Sequence, residues 1–96
     1  MKDPLGDRDY WLQDGFSWST SKTFDPRVRA LIVRRVSRDV TLSECASDQT
    51  EVSPATWIRV EDGYAVPTQR MVDVMNRQLD EAIAIRWATS VTMEAM

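Results

Sequence analysis

Two stretches of the chain repeat apolar residues every three or four positions, the spacing of a helix that buries one face. In the first, Val28, Leu31, Ile32, Val36 and Val40 make the apolar stripe. Asp25 stands where a cap is needed and Pro26 where a missing N–H costs nothing, so the pattern predicts an amphipathic helix over 26–38. In the second, Met71, Val72, Val74, Met75, Leu79, Ala82, Ile83 and Trp87 keep the same spacing from just after Pro67 to near the end of the chain. This predicts a long C-terminal helix.

Between these stretches the capping signals are denser than the hydrophobic ones. Thr41-Leu42-Ser43-Glu44 has the capping-box spacing, in which the threonine and glutamate side chains each accept the other's backbone N–H. Leu42, Cys45 and Ala46 give this second, short helix its apolar face, and residues 48–51 form a polar turn. Ser53 before Pro54 opens a third helix: the hydroxyl caps a free amide, proline takes the first helical position, and Gly63 supplies a left-handed stop about two to three turns later. With Val52, Trp57 and Val60 turned inward, this helix would expose Ser53, Ala55, Thr56, Ile58, Arg59 and Asp62. Two short capped helices in tandem read as a helix-turn-helix. The expected fold is all-α in the main, with four to five helices and no internal repeat.

Residues 9–20 differ in kind. Tyr10-Trp11-Leu12-Gln13 and Phe16-Ser17-Trp18-Ser19 flank Asp14-Gly15, a pair favoured in two-residue hairpin turns. That register sets Trp11 opposite Trp18 on one face. An isolated hairpin is marginal, so the segment is either a small β-hairpin or an irregular aromatic arm whose rings pack on the helical body or meet a partner. The expected division is an aromatic arm or hairpin over 1–25 and a helical domain over 26–96.

At 96 residues the chain has the length of one domain, and 43% hydrophobic content with four tryptophans favours a folded protein over a disordered one. A lone Cys45 excludes an internal disulfide and points to a reducing, cytoplasmic setting. With no histidine, no phosphate-cradling glycine loop and no nucleophile-base pair, neither a metal site, a cofactor nor an enzymatic activity is expected. No apolar run approaches the roughly 18 residues of a membrane span, and the first ten residues lack the apolar stretch of a signal peptide. The net charge of -3 is unevenly spread. Residues 27–38 carry Arg27, Arg29, Arg34, Arg35 and Arg38 and no acid, whereas in 39–63 only Arg59 stands against Asp39, Glu44, Asp48, Glu51, Glu61 and Asp62.

The run from 40 to 74 resembles the XRE family, the Cro and lambda-repressor class of DNA-binding domains. The family pattern is a threonine-capped helix with a Leu-Ala pair, a turn, then Val-Ser-Pro-x-Thr-Ile-x-Arg-Trp-Glu-x-Gly-x-x-x-Pro and an apolar helix. Here Thr41 and Glu44 match the cap, Cys45-Ala46 stand at the Leu-Ala pair, and Val52-Ser53-Pro54 open the recognition helix. Thr56, Arg59, Glu61, Gly63 and Pro67 fall in register, with Trp57 and Val60 at the places usually held by isoleucine and tryptophan. The turn is one residue longer than in the family and lacks its glycine. A MerR-like or excisionase resemblance over 56–67 ranks lower, because Glu61, the Gly63-to-Pro67 gap and the helix after it follow the XRE pattern. The resemblance implies a Cro/repressor-like helix-turn-helix fold and a sequence-specific transcriptional regulator, a dimeric repressor of phage or mobile-element type acting on a double-stranded DNA operator.

In such a domain the second helix spans the DNA backbone and the recognition helix enters the major groove. Arg59 is then the side chain able to make a bidentate contact with guanine or a strong contact with phosphate. Ser53 and Thr56 would bond phosphates or bases, Ala55 and Ile58 would touch a thymine methyl, and the helix start at Thr41 would offer amides to phosphate. Arg34, Arg35 and Arg38 would reach flanking phosphates. Each has a structural alternative: Ser53 and Thr41 as caps, Thr56 as support for a cap, and the arginines as a solvated face paired with the acidic segment. Glu61 is expected to tie its helix to the following loop, and Cys45 to be a small buried apolar residue. The alternative function is a helix-turn-helix scaffold whose acidic, aromatic surface binds a protein, as an antitoxin, antiactivator or DNA-mimicking inhibitor. The N-terminal arm and the C-terminal helix are the candidate surfaces for such a partner or for a second copy of the chain.

Overall fold

The computed structural model describes Ser17–Trp18, Lys22 and residues 25–95, with side chains placed for Lys22 and for residues 25–88. Along these residues run β1 (Ser17–Trp18), α1 (Pro26–Ser37), α2 (Leu42–Cys45), α3 (Pro54–Glu61), β2 (Ala65–Val66) and α4 (Gln69–Ala95). The described chain is mainly helical, with four helices.

Each helix begins and ends where local chemistry dictates. The Asp25 carboxylate accepts the Arg27 backbone N–H at 2.9 Å, and Pro26 fills the first position of α1. The capping box of α2 closes in both directions, Thr41 N–H to Glu44 Oε1 at 2.9 Å and Glu44 N–H to Thr41 Oγ1 at 3.3 Å. Ser53 Oγ accepts the Thr56 N–H at 3.4 Å to start α3, and Thr68 Oγ1 accepts the Met71 N–H at 3.1 Å to start α4. The stops of α1 and α3 share one geometry. Gly63, at φ 86°, donates to Val60 O while Tyr64 donates to Arg59 O, the paired bonds of a Schellman ending. Asp39, at φ 58°, does the same with Val36 O, and Val40 with Arg35 O. A side chain that tolerates the left-handed region here replaces the glycine that would have marked the stop in sequence.

The core gathers around α3 and α4. Trp57, Met71, Met75, Leu79, Val52, Val60 and Thr56 are its largest fully buried side chains, joined by Val28, Leu31, Val40, Cys45, Ala46, Ala65, Val74 and Ala82. The predicted stripes of α1 and α4 hold with two corrections. Val36 is 61% exposed, because Arg35, four residues after Leu31, takes the inward position on the last turn of α1. Trp87 is 71% exposed: it lies beside Arg38, Val40 and Ile83 at the edge of the body without being covered by them.

Ser17 and Trp18 pair antiparallel with Val66 and Ala65. The two-residue strand β1 thus meets the loop after α3, and Lys22 Nζ lies 5.8 Å over the Tyr64 ring beside it. The Asp14-Gly15 turn and Trp11 of the expected hairpin lie outside the described residues.

The Arg27 guanidinium, bound to the Asp25 carboxylate through two side-chain bonds, holds that carboxyl below its usual value of 3.8, against a smaller opposing effect of burial. A carboxyl depressed on folding stabilises above its unfolded pKa and loses that contribution as pH falls through the folded one. Asp25→Ala is expected to cost about 1 kcal/mol at pH 7 through the lost cap and pair. In urea titrations of both proteins that difference should shrink as the pH drops below 3.8.

Candidate nucleic-acid interface

α3 presents one face to the core and one to solvent, and the division differs from the sequence expectation at Thr56. Val52, Thr56 and Val60 are spaced by four, so Thr56 falls within the inward stripe and is 1% exposed. Its hydroxyl faces Ser53 Oγ at 3.5 Å and is closed off from any ligand at the surface. The outer face consists of exposed Ile58, Arg59 and Asp62, with Ser53, Pro54 and Ala55 half-buried at the start of the helix. Ser53, Ala55, Ile58 and Arg59 therefore share one surface, as expected, and Thr56 does not.

The basic segment is dispersed by internal pairing. Arg35 is turned inward: its Nε and Nη2 donate to the two Glu61 carboxylate oxygens, each at 2.8 Å, and Nη1 donates to Val40 O at 2.9 Å. The Glu61 hydrogen bonds raise the Arg35 guanidinium pKa above its ordinary value, and burial opposes them. Trp57 Nε1 donates to the same carboxylate at 2.6 Å, so Glu61 ties α3 to α1 as well as closing its own turn. Arg35 is scaffold, not a phosphate contact. Arg34 reaches across to α4, donating to Asp80 Oδ1 at 2.5 Å and to Asn76 Oδ1 at 3.0 Å. Arg38, of the three candidate arginines on this segment, is exposed and has no ion pair among the described residues, and Arg29, on the opposite side of α1, is alike in this.

Thr41 sits at the exposed start of α2, but its hydroxyl is already engaged with Glu44 and lies 3.3 Å from Ser43 Oγ. The Thr41 backbone N–H, then its hydroxyl and Arg86, hold the Glu44 carboxyl below the usual range. A carboxylate therefore stands beside the amides that would meet phosphate there. Between α2 and α3 the turn is organised by its own side chains: Ser47 Oγ accepts the Gln49 N–H, Thr50 Oγ1 accepts the Ser47 N–H, and the Thr50 hydroxyl lies within bonding distance of Ser47 O and Val52 O.

Gln78 was not anticipated. It lies in the apolar stripe of α4 between Met75 and Leu79, 6% exposed, with its amide against the α2–α3 turn. The signal was present in sequence, since a polar residue at a core position of a helix needs partners that only the fold supplies. Among the described residues no group of three or more histidine, cysteine or carboxylate side chains is placed to hold a metal ion, and no helix is long and apolar enough to cross a membrane. Comparison with protein-family models, with curated proteins and with solved structures gives no match.

Cys45, at the end of α2, is 2% exposed, and burial pushes its thiol from 9.0 up to about 11, with Arg35 opposing and Glu61 and Glu44 adding to the rise. The folded state therefore holds the thiol proton more tightly than the unfolded chain. Stability from this group is intact below pH 9.0 and is lost as the pH rises toward about 11. Native protein should lose on the order of 2 kcal/mol more than Cys45→Ala across that interval, measured by denaturant titration at each pH.

Proposed function

We propose that this chain is a small sequence-specific DNA-binding regulator of the helix-turn-helix type, with α2 and α3 as the tandem helices and α3 as the recognition element. The observation that carries the proposal is the two-sided construction of α3: its inner face is fixed by Val52, Thr56, Trp57 and Val60, and its outer face offers Ala55, Ile58 and Arg59 together. A side chain capable of bidentate recognition of guanine stands beside two apolar groups suited to a thymine methyl. Arg59 reads or anchors, Ile58 and Ala55 exclude water and favour the methyl, and Ser53 caps. Arg38 and Arg29 are the exposed charges that supply flanking phosphate contacts, a smaller set than the sequence promised. Few phosphate contacts mean a shallow salt dependence for a protein of this class.

The partner is double-stranded DNA in a cytoplasmic setting, bound by a repressor-like homodimer. Ile85 and Trp87, 68% and 71% exposed on the later turns of α4, are suited to a second copy. A two-fold pair would set two α3 helices about one DNA turn, roughly 34 Å, apart.

One observation favours a protein partner instead. Arg27, Arg34 and Arg35 are all held in intramolecular ion pairs, and Ile58, 45% exposed, is flanked by Asp62 on the same outer face. An apolar residue with few available cations around it also suits a protein surface. Fluorescence anisotropy against DNA from the region upstream of the gene separates the two. Sequence-dependent binding that Arg59→Ala weakens by about 1–3 kcal/mol supports the regulator. Absence of sequence-dependent binding at moderate salt, together with recovery of a stoichiometric protein partner that Ile58→Asp abolishes, supports the protein-binding module.

A further inference from the structure

The α2–α3 turn carries no glycine, and its closure depends on a side chain from elsewhere in the chain. Gln78 Oε1 accepts the Val52 N–H at 3.0 Å, while Nε2 donates to Cys45 O at 3.0 Å and to Val52 O at 3.1 Å. Cys45 is the last residue of α2 and Val52 immediately precedes the Ser53 cap of α3. One buried amide on α4 is thus bonded to both ends of the turn.

We infer that Gln78 is the positioning residue of the α2–α3 unit, a clamp that fixes where the outer face of α3 sits relative to α2. Three of the four hydrogen bonds open to a glutamine amide are used, and the pattern needs both a donor and an acceptor. Glutamate in the same place has no proton to give and sets a carboxylate against two carbonyl oxygens. An apolar residue of the same length takes the Gln78 partner from the Val52 N–H and the Cys45 carbonyl and leaves Val52 O only the Thr50 hydroxyl, in a region where Val52 is fully buried. The turn's own bonds, among Ser47, Gln49, Thr50 and Val52, are local, and Glu51 meets Arg70 and Arg77 of α4 only at the exposed surface, whereas Gln78 attaches both ends of the turn to α4 from within the core. Leu79 and Met75 on either side of Gln78 supply the packing, so the amide is free to act through direction instead of area.

The inference rests on the proposed function only in what the positioning is for. Its physical part is tested by amide hydrogen exchange in Gln78→Met, which keeps length and apolar packing, and in Gln78→Glu, which keeps shape and one acceptor. In Gln78→Met the Val52 amide should exchange about tenfold faster or more relative to the amides of Leu31 and Ala82, as loss of a buried acceptor implies. In Gln78→Glu the amides of 46–52 should quicken as a group relative to the same references. Exchange that rises equally at Val52, Leu31 and Ala82, or that does not change at Val52, would mean that Gln78 only fills space and clamps nothing. DNA binding supplies the second arm. If the unaltered protein binds its operator, Gln78→Met should lower affinity about tenfold with an unchanged salt slope, because no phosphate contact is removed. If the unaltered protein binds no DNA, the regulator proposal fails and the exchange result alone decides the clamp.

Discussion

The bidentate pair between Arg35 and Glu61 organises the molecule around α3. It joins the last turn of α1 to the last turn of α3, with side chains only 16% and 10% exposed. An ion pair so buried survives only if its remaining hydrogen-bonding capacity is satisfied, since desolvation alone costs several kcal/mol per ion. The structure meets that condition: Val40 O takes a third guanidinium N–H, and Trp57 Nε1 supplies a third bond to the carboxylate. The indole is itself fully buried, so its N–H needs an acceptor as much as Glu61 needs a donor. The three side chains solve one another's problem and so fix the rotation of α3 about its axis. That rotation decides that Thr56 faces the core and that Ile58 and Arg59 face solvent.

The same pair alters what the charge distribution means. A run of five arginines without an acid reads as a basic surface, yet Arg35 is drawn inside, Arg34 crosses to Asp80 and Arg27 folds back on Asp25. On α4, Arg86 meets both Asp39 and Glu44, and Arg77 and Arg70 both meet Glu51. Exposed pairs of this kind are worth roughly 0–1 kcal/mol each, so their effect on stability is small. Their effect on the surface is larger, because a cation held by a carboxylate contributes little field to a distant phosphate. The acidic middle segment is paired with the first helix through Arg35–Glu61 and otherwise with the arginines of α4, and the outer face of α3 depends on Arg59 and its apolar neighbours.

What could be read from sequence was local. The caps at Asp25, Thr41 and Ser53, the proline starts and the Gly63 stop depend on residues within a turn of one another, and all are found in place. The long-range choices were hidden. Arg35 could have pointed outward as readily as inward until Glu61 and Trp57 were known to face it. Asp39 carries no mark of a helix stop comparable to glycine, although it ends α1 with the same bonds. Gln78 is a polar interruption of an apolar stripe whose partners lie 26 and 33 residues away in sequence. The pairing of Ser17–Trp18 with Ala65–Val66 joins segments that local patterning has no means to connect. At the candidate interface, Ile58 and Arg59 were legible from helical phase. Thr56 was misplaced because its cap-supporting role and its inward phase both draw it under the surface.

Whether the buried Arg35–Glu61 pair sets the orientation of α3 is decided by a double-mutant cycle in urea denaturation with Arg35→Met, Glu61→Gln and the double variant. Each single change should be strongly destabilising and the two should be coupled by about 1–3 kcal/mol, because each leaves the other group buried without its partner. Additive effects, with coupling below about 0.5 kcal/mol, would show that the pair does not hold the two helices together and that α3 owes its orientation to other contacts.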